Sequence, residues 1–272
     1  MFHLNPHQHS NSVETPADAA SPSVLPPALI ERVTGLVSAM QGDCELGLAD
    51  AAPVVPGRGA GIECAISSDG DAALYFHESA VINSKSAIVI KGSAHRVIVA
   101  AKAQLEGCTF DIGGESAVVV IGPGAKLRNL RLSLRGRNTA ILIGAQSTWV
   151  GNGNQVMCEG DDTQVIIGDD SMMAHGVIIR TSDGHSIFDR SSQRQLNVPA
   201  SVVIGPHVWL ANSVRINKGT RIGAGTVVGQ CSVASGRLDA QCVYAGVPAR
   251  KVREGIVWSR SAAYDGVPKR FR

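Results

Sequence analysis

An aliphatic side chain recurs at every sixth position in the C-terminal third of the chain. The regular positions are Ile204, Leu210, Ile216, Ile222 and Val228. Each is followed by a residue that is small or favours a turn, namely Gly205, Ala211, Asn217, Gly223 and Gly229. A period of six fits neither an α-helix nor a single amphipathic strand, but it is typical of a solenoid of short strands. The pattern therefore predicts an all-β protein whose coils direct each aliphatic residue into a narrow prism.

A looser repeat precedes the regular one. Aliphatic runs end at Val99, Ile121, Ile143 and Ile167, each just before a small residue, in steps of 22, 22 and 24 residues. A second set of turn glycines, Gly114, Gly136 and Gly160, is in phase with these runs. Each period predicts one coil of a parallel β-helix, and we place the β-helix domain at residues 87–252.

The six-residue register breaks between Ile179 and Ile204. The next inward position would be His185, but a polar segment follows, and we define the inserted loop as residues 184–201. A structureless insertion of this length in a compact fold is usually functional.

The remaining segments give weaker signals. Residues 1–26 are rich in Pro, Ser, Ala and His and predict a flexible leader, in which metal binding by His3, His7 and His9 is the less favoured interpretation. Residues 27–41 predict a helix whose apolar face caps the open end of the solenoid. We assign 27–86 to this helix and a cap region, with short strands and turns over 43–85, and 253–272 to a C-terminal arm on the outside.

Composition agrees with a narrow core, because glycine is abundant (30 residues) and aromatic residues make up only 4% of the chain. The net charge of +2 is unevenly distributed: residues 201–272 carry 11 basic and 3 acidic residues, whereas residues 1–200 carry 14 and 20. The excess of basic residues in 201–272 predicts binding of an anionic ligand, with a solvated basic surface as the alternative.

The six cysteines include no Cys-x-x-Cys pair, which favours reduced, structural thiols. No stretch has the apolar length of a membrane span, and the N-terminus lacks the pattern of a signal peptide. We therefore expect a cytoplasmic protein.

Three segments resemble the hexapeptide-repeat acyltransferases: 204–211, 216–223 and 244–250. The segment 167–189, which includes Thr-Ser-Asp-Gly-His at 181–185, is similar to O-acetyltransferases of capsular and surface polysaccharides, including those that act on sialic-acid polymers. This resemblance implies a left-handed β-helix, a homotrimer with active sites between subunits, and acetyl-CoA as the acetyl donor.

For such an enzyme, His185 is the candidate general base, because an imidazole can take the proton of an attacking sugar hydroxyl near neutral pH. Asp183 is a candidate to orient the imidazole, with Asp189 as its competitor and a turn-forming role as the alternative. The absence of a cysteine nucleophile in the loop favours direct transfer.

The resemblance implies that Trp209 lines the catalytic groove and contacts the donor near its thioester. Lys218, Arg250 and Lys251 are candidates for the phosphates of coenzyme A. The backbone amides of Gly223, Ala224 and Gly229 are candidates for the pantetheine arm.

Arg180 and Arg190 flank the loop and are candidates for an acidic acceptor sugar, or for structural salt bridges. A zinc site formed by His175, His185 and His207 is the weaker alternative, since it lacks a close histidine pair, and we expect no metal. His207 is expected to pack at a corner beside Pro206.

The leading hypothesis is an acetyl-CoA-dependent O-acetyltransferase of a bacterial surface glycan or its precursor. Two alternatives stay open: N-acetylation of an amino sugar or small amine, and a non-catalytic trimeric β-helix scaffold.

Overall fold

A computed structural model describes residues 25–39, 46, 63–69 and 71–272. Within these ranges the chain forms the helix α1 (Pro27–Ala39) and 25 strands, which wind into a three-sided parallel β-helix. The predicted β-helix fold is thereby confirmed. Most of the predicted leader, residues 1–24, lies outside the described residues, as do Cys44 and most of 43–62.

Successive strands contribute in turn to three sheets. Sheet 1 contains β1 (Ala65–Ser68), β4 (Ala87–Ser93), β7 (Thr109–Glu115), β10 (Leu130–Arg135), β13 (Asn154–Glu159), β16 (Ile178–Arg180), β19 (Arg215–Ile216) and β22 (Val233–Ala234). Sheet 2 contains β2 (Ala72–Phe76), β5 (His95–Val99), β8 (Val118–Ile121), β11 (Ala140–Ile143), β14 (Gln164–Ile167), β17 (Val202–Ile204), β20 (Arg221–Ile222) and β23 (Arg237–Leu238). Sheet 3 contains β3 (Val81–Ile82), β6 (Gln104–Glu106), β9 (Lys126–Arg128), β12 (Thr148–Trp149), β15 (Met172–Met173), β18 (Trp209–Leu210), β21 (Val227–Val228), β24 (Cys242–Ala245) and β25 (Arg250–Glu254).

Three corners separate the sheets. The loop corner, between sheets 1 and 2, carries residues 181–201 where the chain passes from β16 to β17. The arm corner, between sheets 2 and 3, carries residues 205–208 where the chain passes from β17 to β18. The third corner, between sheets 3 and 1, carries residues 174–177 between β15 and β16.

The strand register follows the periods read from the sequence. Ile121 lies opposite Val99 on one side and Ile143 on the other, and Ile167 lies opposite both Ile143 and Ile204. All five regular aliphatic positions are at most 3% exposed, and the small or β-branched corner residues are fully buried (Val208, Val214, Thr220, Thr226 and Ser232). The hexapeptide pattern therefore builds one continuous core along the prism axis.

A column of glycines forms the loop corner in the earlier coils. Gly114 has a φ of +98°, and a Cβ at this position would lie 2.1 Å from the carbonyl oxygen of Gly136 in the next coil. Stacked coils bring the two backbones this close, so that a larger residue cannot fit without a shift. The predicted in-phase glycine turns are therefore corners of the β-helix.

The coils begin earlier than residue 87. β1, β2 and β3 pair in parallel with β4, β5 and β6 in the next coil, so residues 65–82 form a coil of their own. Their short strands alternate less regularly between apolar and polar residues, which is why the pattern did not reveal them. Part of the expected cap region is thus an integral turn of the β-helix.

The helix α1 was expected to cap the open end, and this placement is wrong. Leu29 and Val33 of α1 pack instead on the outer face of sheet 2, against Ile98, Val120 and Leu142. This outer face is apolar over several consecutive strands, and covering it removes that apolar area from water.

At the C-terminal end of the coil, β25 pairs antiparallel with β24 in sheet 3. An antiparallel strand that doubles back removes a free parallel edge from the end of the solenoid. The chain then continues as an arm, residues 255–272, with two short 3₁₀ turns at Tyr264–Gly266 and Lys269–Phe271. The arm lies on the outside of the prism, where the sequence placed it.

Candidate active site

The inserted loop forms a hairpin that projects from the loop corner. Phe188 and Gln195 pair as an antiparallel bridge, and the amide of Leu196 donates to the carbonyl oxygen of Ile187 at 2.7 Å. Four apolar side chains of the hairpin are more than half exposed: Ile187, Phe188, Leu196 and Val198. The loop is thus built as a hairpin with an apolar, uncovered surface.

One amide side chain organises the base of the hairpin. The Nδ2 atom of Asn197 donates to the carbonyl oxygen of His185 at 2.8 Å and to Oδ2 of Asp183 at 2.9 Å. Its Oδ1 atom accepts a hydrogen bond from the amide of Ile187 at 2.6 Å. Asn197 therefore fixes the backbone on both sides of residue 186, and with it the position from which the His185 side chain extends.

Asp183 lies in the same network but bonds a cation from the next coil. Its carboxylate accepts hydrogen bonds from Nζ of Lys218 and from Asn197, and Nζ of Lys218 also donates to the carbonyl oxygen of Asn197 at 2.8 Å. The hydrogen bond from Lys218, together with that from Asn197, lowers the pKa of Asp183 below its ordinary value. Among the described residues, no hydrogen bond joins this carboxylate to the imidazole of His185.

The His185 side chain itself is exposed. Its backbone oxygen is bonded to Asn197, whereas its ring makes no hydrogen bond within the part of the chain that the structure describes. A ring with two free nitrogens on a fixed backbone is able to exchange a proton with an incoming group.

Asp189, the competing carboxylate, lies at the hairpin turn. Its Oδ1 atom accepts hydrogen bonds from the hydroxyl of Ser191 at 2.6 Å and the amide of Ser192 at 2.7 Å. These bonds, with that from the Ser191 hydroxyl the strongest, hold the pKa of Asp189 well below its ordinary value. The carboxylate shapes the turn and does not contact His185.

Trp209 lies on a different side of the prism. It is the outward residue of β18 in sheet 3, half-buried, with Met172 and Val227 opposite it in the neighbouring strands. Its ring centroid is 5.9 Å from that of Trp258 in the C-terminal arm. Trp209 therefore belongs to an aromatic surface on sheet 3.

Most of the donor candidates lie on sheet 3 or at the two corners that border it. Gly223 and Ala224 lie at the arm corner before β21, Gly229 lies at the third corner after β21, and Arg250 and Lys251 begin β25. Because strands of a sheet lie ~4.8 Å apart, the three steps from β18 to β25 span about 14 Å. The candidates therefore form a strip that runs from Trp209 to the C-terminal edge of the sheet.

The hydrogen bonds of this strip distinguish the candidates. The amides of Gly223 and Gly229 are already bonded to the next coil, donating to the carbonyl oxygens of Leu238 and Tyr244 at 2.9 and 2.8 Å. Among the described residues, the Ala224 amide donates no hydrogen bond. Of the three backbone amides predicted to face a donor, only that of Ala224 is free to do so.

The basic candidates differ in the same way. Nζ of Lys251 lies 2.8 Å from Oδ2 of Asp239 and 3.5 Å from Oε2 of Glu254, and the hydrogen bond to Asp239 raises the pKa of Lys251 above its ordinary value. Lys218 is bonded at the loop corner, away from sheet 3. The Arg250 guanidinium, by contrast, is exposed, and among the residues that the structure describes it bonds only to the neighbouring carbonyl oxygen of Ala249 at 3.4 Å.

His185 and Trp209 do not meet within one chain. His185 extends from the corner between sheets 1 and 2, and Trp209 points outward from sheet 3, which is the side of the triangular prism opposite that corner. The two residues can share one site only if a second copy of the chain contributes one of them.

Proteins similar to this chain are acetyltransferases. A polysialic acid O-acetyltransferase of Neisseria meningitidis is 31% identical over 189 residues, which cover 68% of this chain and 86% of the relative. The chain belongs to the hexapeptide-repeat O-acetyltransferase family. A polysialic acid O-acetyltransferase of Escherichia coli O1:K1 is 32% identical over 125 residues, 46% of this chain but only 40% of the relative's length.

The solved structures agree with this family membership. The crystal structure of the polysialic acid O-acetyltransferase OatWY superposes with a TM-score of 0.68 at 28% identity, covering 73% of this chain and 93% of that one. No family model matches the chain. Within the described ranges, no helix of this acetyltransferase has both the length and the apolar character needed to cross a membrane.

The three histidines of the zinc alternative occupy three different corners of the acetyltransferase. His175 lies at the third corner, His185 at the loop corner and His207 at the arm corner. Both ring nitrogens of His207 are hydrogen-bonded, and its side chain is 1% exposed, as expected for a residue that packs at a corner. Among the described residues, no group of three or more His, Cys, Asp or Glu side chains could hold a metal ion.

Arg180 and Arg190 lie on either side of the hairpin. Arg180 ends β16 on the outer face of sheet 1, half-buried and close enough to Asp183 to contribute to the lowering of its pKa, whereas Arg190 is exposed at the hairpin turn. Both guanidinium groups of this acetyltransferase remain accessible to an acceptor.

Two features of the site were missed in the sequence. Arg221 and Arg237 stand side by side on neighbouring strands of sheet 2 and border a cavity of about 300 Å³ with Gly223 and Ala224. The signal was present, because both arginines occupy the outward position just before an inward aliphatic residue. Asn197 had no such signal, since its partners are set by the fold of the loop.

Proposed function

We propose that this acetyltransferase moves an acetyl group from acetyl-CoA to a sugar hydroxyl of a bacterial capsular or surface polysaccharide, or its precursor. The observation that carries the proposal is the free imidazole of His185 on a backbone fixed by Asn197, in a chain 31% identical to a polysialic acid O-acetyltransferase. The proposed catalytic region is the β-helix up to residue 252 with the loop 184–201.

In the proposed reaction His185 acts as the general base. Its free ring nitrogen takes the proton of the acceptor hydroxyl as the hydroxyl oxygen attacks the thioester carbonyl carbon. The carbon–sulfur bond breaks, and the thiolate of coenzyme A leaves and regains a proton from the imidazolium. The loop has no cysteine to act as a nucleophile, which favours direct transfer without an acyl-enzyme.

Asp183 and Lys218 contribute to this reaction through the backbone. Their ion pair connects the loop to the next coil, and Asn197 extends the connection to the carbonyl oxygen of His185. The imidazole is thereby held at a constant distance from the prism. We accordingly assign both residues a positioning role; for Lys218 it replaces the phosphate contact expected from the sequence.

The donor is placed along sheet 3. Trp209 packs against the thioester end, the Ala224 amide faces the pantetheine arm, and Arg250 pairs with a phosphate. Arg221 and Arg237 border the neighbouring cavity and supply further positive charge for the phosphates. Gly223 leaves room for close approach, and Lys251 holds β25 in place.

The active sites are proposed to form between copies of the chain, in a homotrimer. A contact between the loop corner of one copy and sheet 3 of the next joins two different surfaces, and such a contact forms a closed ring when the rotation between copies closes. The exposed apolar side chains of the hairpin supply a surface for this contact, since they are uncovered in a single chain. This arrangement brings His185 of one copy to Trp209 of another.

Arg180 and Arg190 are proposed to bind the acceptor. Their guanidinium groups flank the hairpin that carries His185, so they are suited to pair with the carboxylates of an acidic glycan. Since acetyl-CoA is present in the cytoplasm, we place the reaction there.

The test uses purified protein with acetyl-CoA and a panel of capsular and lipopolysaccharide glycans, with amino sugars as the alternative acceptors. Free thiol release measures transfer. We expect glycan-dependent release, and a loss of roughly 10²–10⁴-fold in the His185→Ala variant.

The matched control is His175→Ala, which removes an exposed histidine from the third corner and is expected to keep full activity. Equal loss in both variants, or release that depends only on amino sugars, would contradict the proposal. No thiol release with any acceptor would overturn the transferase assignment for this chain.

A further inference from the structure

The C-terminal arm is attached to the arm corner through one buried histidine. His207 is stacked between two aromatic rings of the arm, with ring centroids 4.0 Å from Trp258 and 4.5 Å from Phe271 and interplanar angles of 5° and 10°. The indole Nε1 of Trp258 also donates to the carbonyl oxygen of His207 at 2.7 Å. A corner residue of the β-helix thus holds a segment 51 positions further along the chain.

Both ring nitrogens of His207 face acceptors. Nδ1 lies 2.7 Å from Oδ2 of Asp170, and Nε2 lies 2.9 Å from the carbonyl oxygen of Trp258. Neither a carboxylate nor a carbonyl oxygen can donate, so each bond needs a proton on the ring. Only the imidazolium form satisfies both bonds at once.

The surrounding charges accommodate this cation. Burial raises the pKa of Asp170, but the hydrogen bond from His207 and the charge of Arg260 outweigh it, so that this pKa stays below its ordinary value. Arg260 bonds the other oxygen of Asp170 at 3.0 Å and Oγ1 of Thr148 at 2.8 Å. A further charged pair at this corner is Arg270 and Asp169, 3.9 Å apart.

The latched arm reaches the aromatic surface of sheet 3. Trp258, fixed on His207 by stacking and two hydrogen bonds, places its ring 5.9 Å from Trp209 at an angle of 47°. His207 stands two residues before Trp209, at the corner that leads into β18. The docked arm therefore places an aromatic ring beside the Trp209 indole.

We propose that His207, as the imidazolium, is a positioning residue that latches the C-terminal arm and so makes Trp258 a fixed wall beside Trp209. The latch is a property of the chain itself, whereas its effect on acetyl transfer rests on the proposed function. The arm then forms part of the donor site and is not only an external cover.

The protonation state is tested on the unmodified full chain, so that no variant has to fold. Two-dimensional ¹H–¹⁵N spectra of histidine-labelled protein near neutral pH report whether each ring nitrogen carries a proton. We expect both ring nitrogens of His207 to carry a proton. A neutral tautomer at His207 overturns the imidazolium latch.

The latch is tested with His207→Phe, which keeps an aromatic ring in the stack but removes both ring hydrogen bonds, beside His175→Phe as the control. We expect trypsin to cleave the arm at Arg260 and Lys269 roughly tenfold faster in the first variant, because hydrogen bonds to charged groups are lost. Trp258→Phe keeps an aromatic ring in the stack and loses only the hydrogen bond of the indole. We expect its arm to be cleaved at a rate between those of the unmodified protein and His207→Phe. Unchanged cleavage in both variants overturns the latch.

The effect on the reaction is read from acetyl-transfer kinetics of the same variants. We expect His207→Phe to raise KM for acetyl-CoA about tenfold with a smaller change in kcat, since the donor wall is displaced while His185 is untouched. Faster cleavage without a change in KM would show a latch that does not shape the donor site. If the unmodified protein transfers no acetyl group, the proposed function fails, while the spectra and the cleavage rates still decide the latch.

Discussion

At the scale of single residues, the position of His185 depends on an amide twelve residues away. Asn197 bonds the carbonyl oxygen of His185, the carboxylate of Asp183 and the amide of Ile187 at the same time. An asparagine is suited to this role because its side chain donates and accepts in fixed directions. The imidazole that we propose as the general base is therefore held by its backbone, and its ring stays free.

Replacement of Asn197 by alanine should lower the activity and leave the thermal stability unchanged. We expect kcat to fall about tenfold or more, because a base displaced from its productive position loses efficiency, while the melting temperature stays close to that of the unmodified protein, since the loop is exposed. Steady-state kinetics and thermal unfolding measure the two quantities.

The control for this change is Asn212→Ala. The Oδ1 atom of Asn212 accepts a similar hydrogen bond from the amide of His175 at 3.3 Å, but at the third corner. An equal fall of kcat in both variants, or a full kcat in Asn197→Ala, would argue against the positioning role.

At the scale of elements, the β-helix depends on how closely its corners stack. The loop corner is narrow because glycines of successive coils lie directly above one another, with Gly92 opposite Gly114 in the register of β4 and β7. A side chain at these glycine positions would have to displace the next coil. Corner glycines and inward aliphatic residues together determine the coil.

The same substitution at two glycines should have opposite effects on stability. Gly114→Ala places a Cβ 2.1 Å from a backbone oxygen at a φ of +98°, and we expect it to lower the free energy of unfolding by about 2 kcal/mol or more. A Cβ at Gly35 in α1 would have no atom within 4 Å, so we expect Gly35→Ala to raise the free energy of unfolding by about 0.5–1 kcal/mol.

Denaturant unfolding of both variants measures these free energies. Two changes of the same sign would show that neither backbone conformation nor corner space controls stability at these sites. If Gly114→Ala left the free energy of unfolding unchanged, the coils could separate at the loop corner without loss of stability.

At the scale of the whole molecule, the geometry of the prism separates the two halves of the proposed site. The loop corner and sheet 3 lie on opposite sides of a rigid, three-sided core, so no rearrangement of the loop base brings His185 to Trp209 in the same chain. Association of copies is therefore part of the proposed catalysis.

Complementation between inactive chains tests this arrangement. We expect His185→Ala and Trp209→Ala to be inactive alone, and mixed, reassembled subunits to regain about a quarter of the activity, because one site in four then combines an intact His185 with an intact Trp209 from a neighbour. Light scattering checks that the mixture is trimeric.

A mixture of His185→Ala with His185→Asn serves as the control and should stay inactive. Absence of recovery in a trimeric mixture of the first pair would mean that both residues act within one chain, or that one of them is not needed.

Much of the fold and part of the site could be predicted from the sequence. Inward packing requires an aliphatic residue at every sixth position, and corners require small residues, so the pattern alone determines the coils from Ile204 to Val228 and the periods before them. The break in register located His185. These are local properties, in which each residue's role depends on its position within a repeat.

Other features were decided only by the tertiary structure. Asp183 bonds Lys218 and not the imidazole, α1 covers sheet 2 and not the open end, and Trp258 of the arm docks on His207. Each of these contacts joins residues that are far apart in the sequence and belong to no common repeat. Which residues meet depends on the surfaces that the closed prism leaves apolar or charged. Those surfaces form only after the coils have stacked.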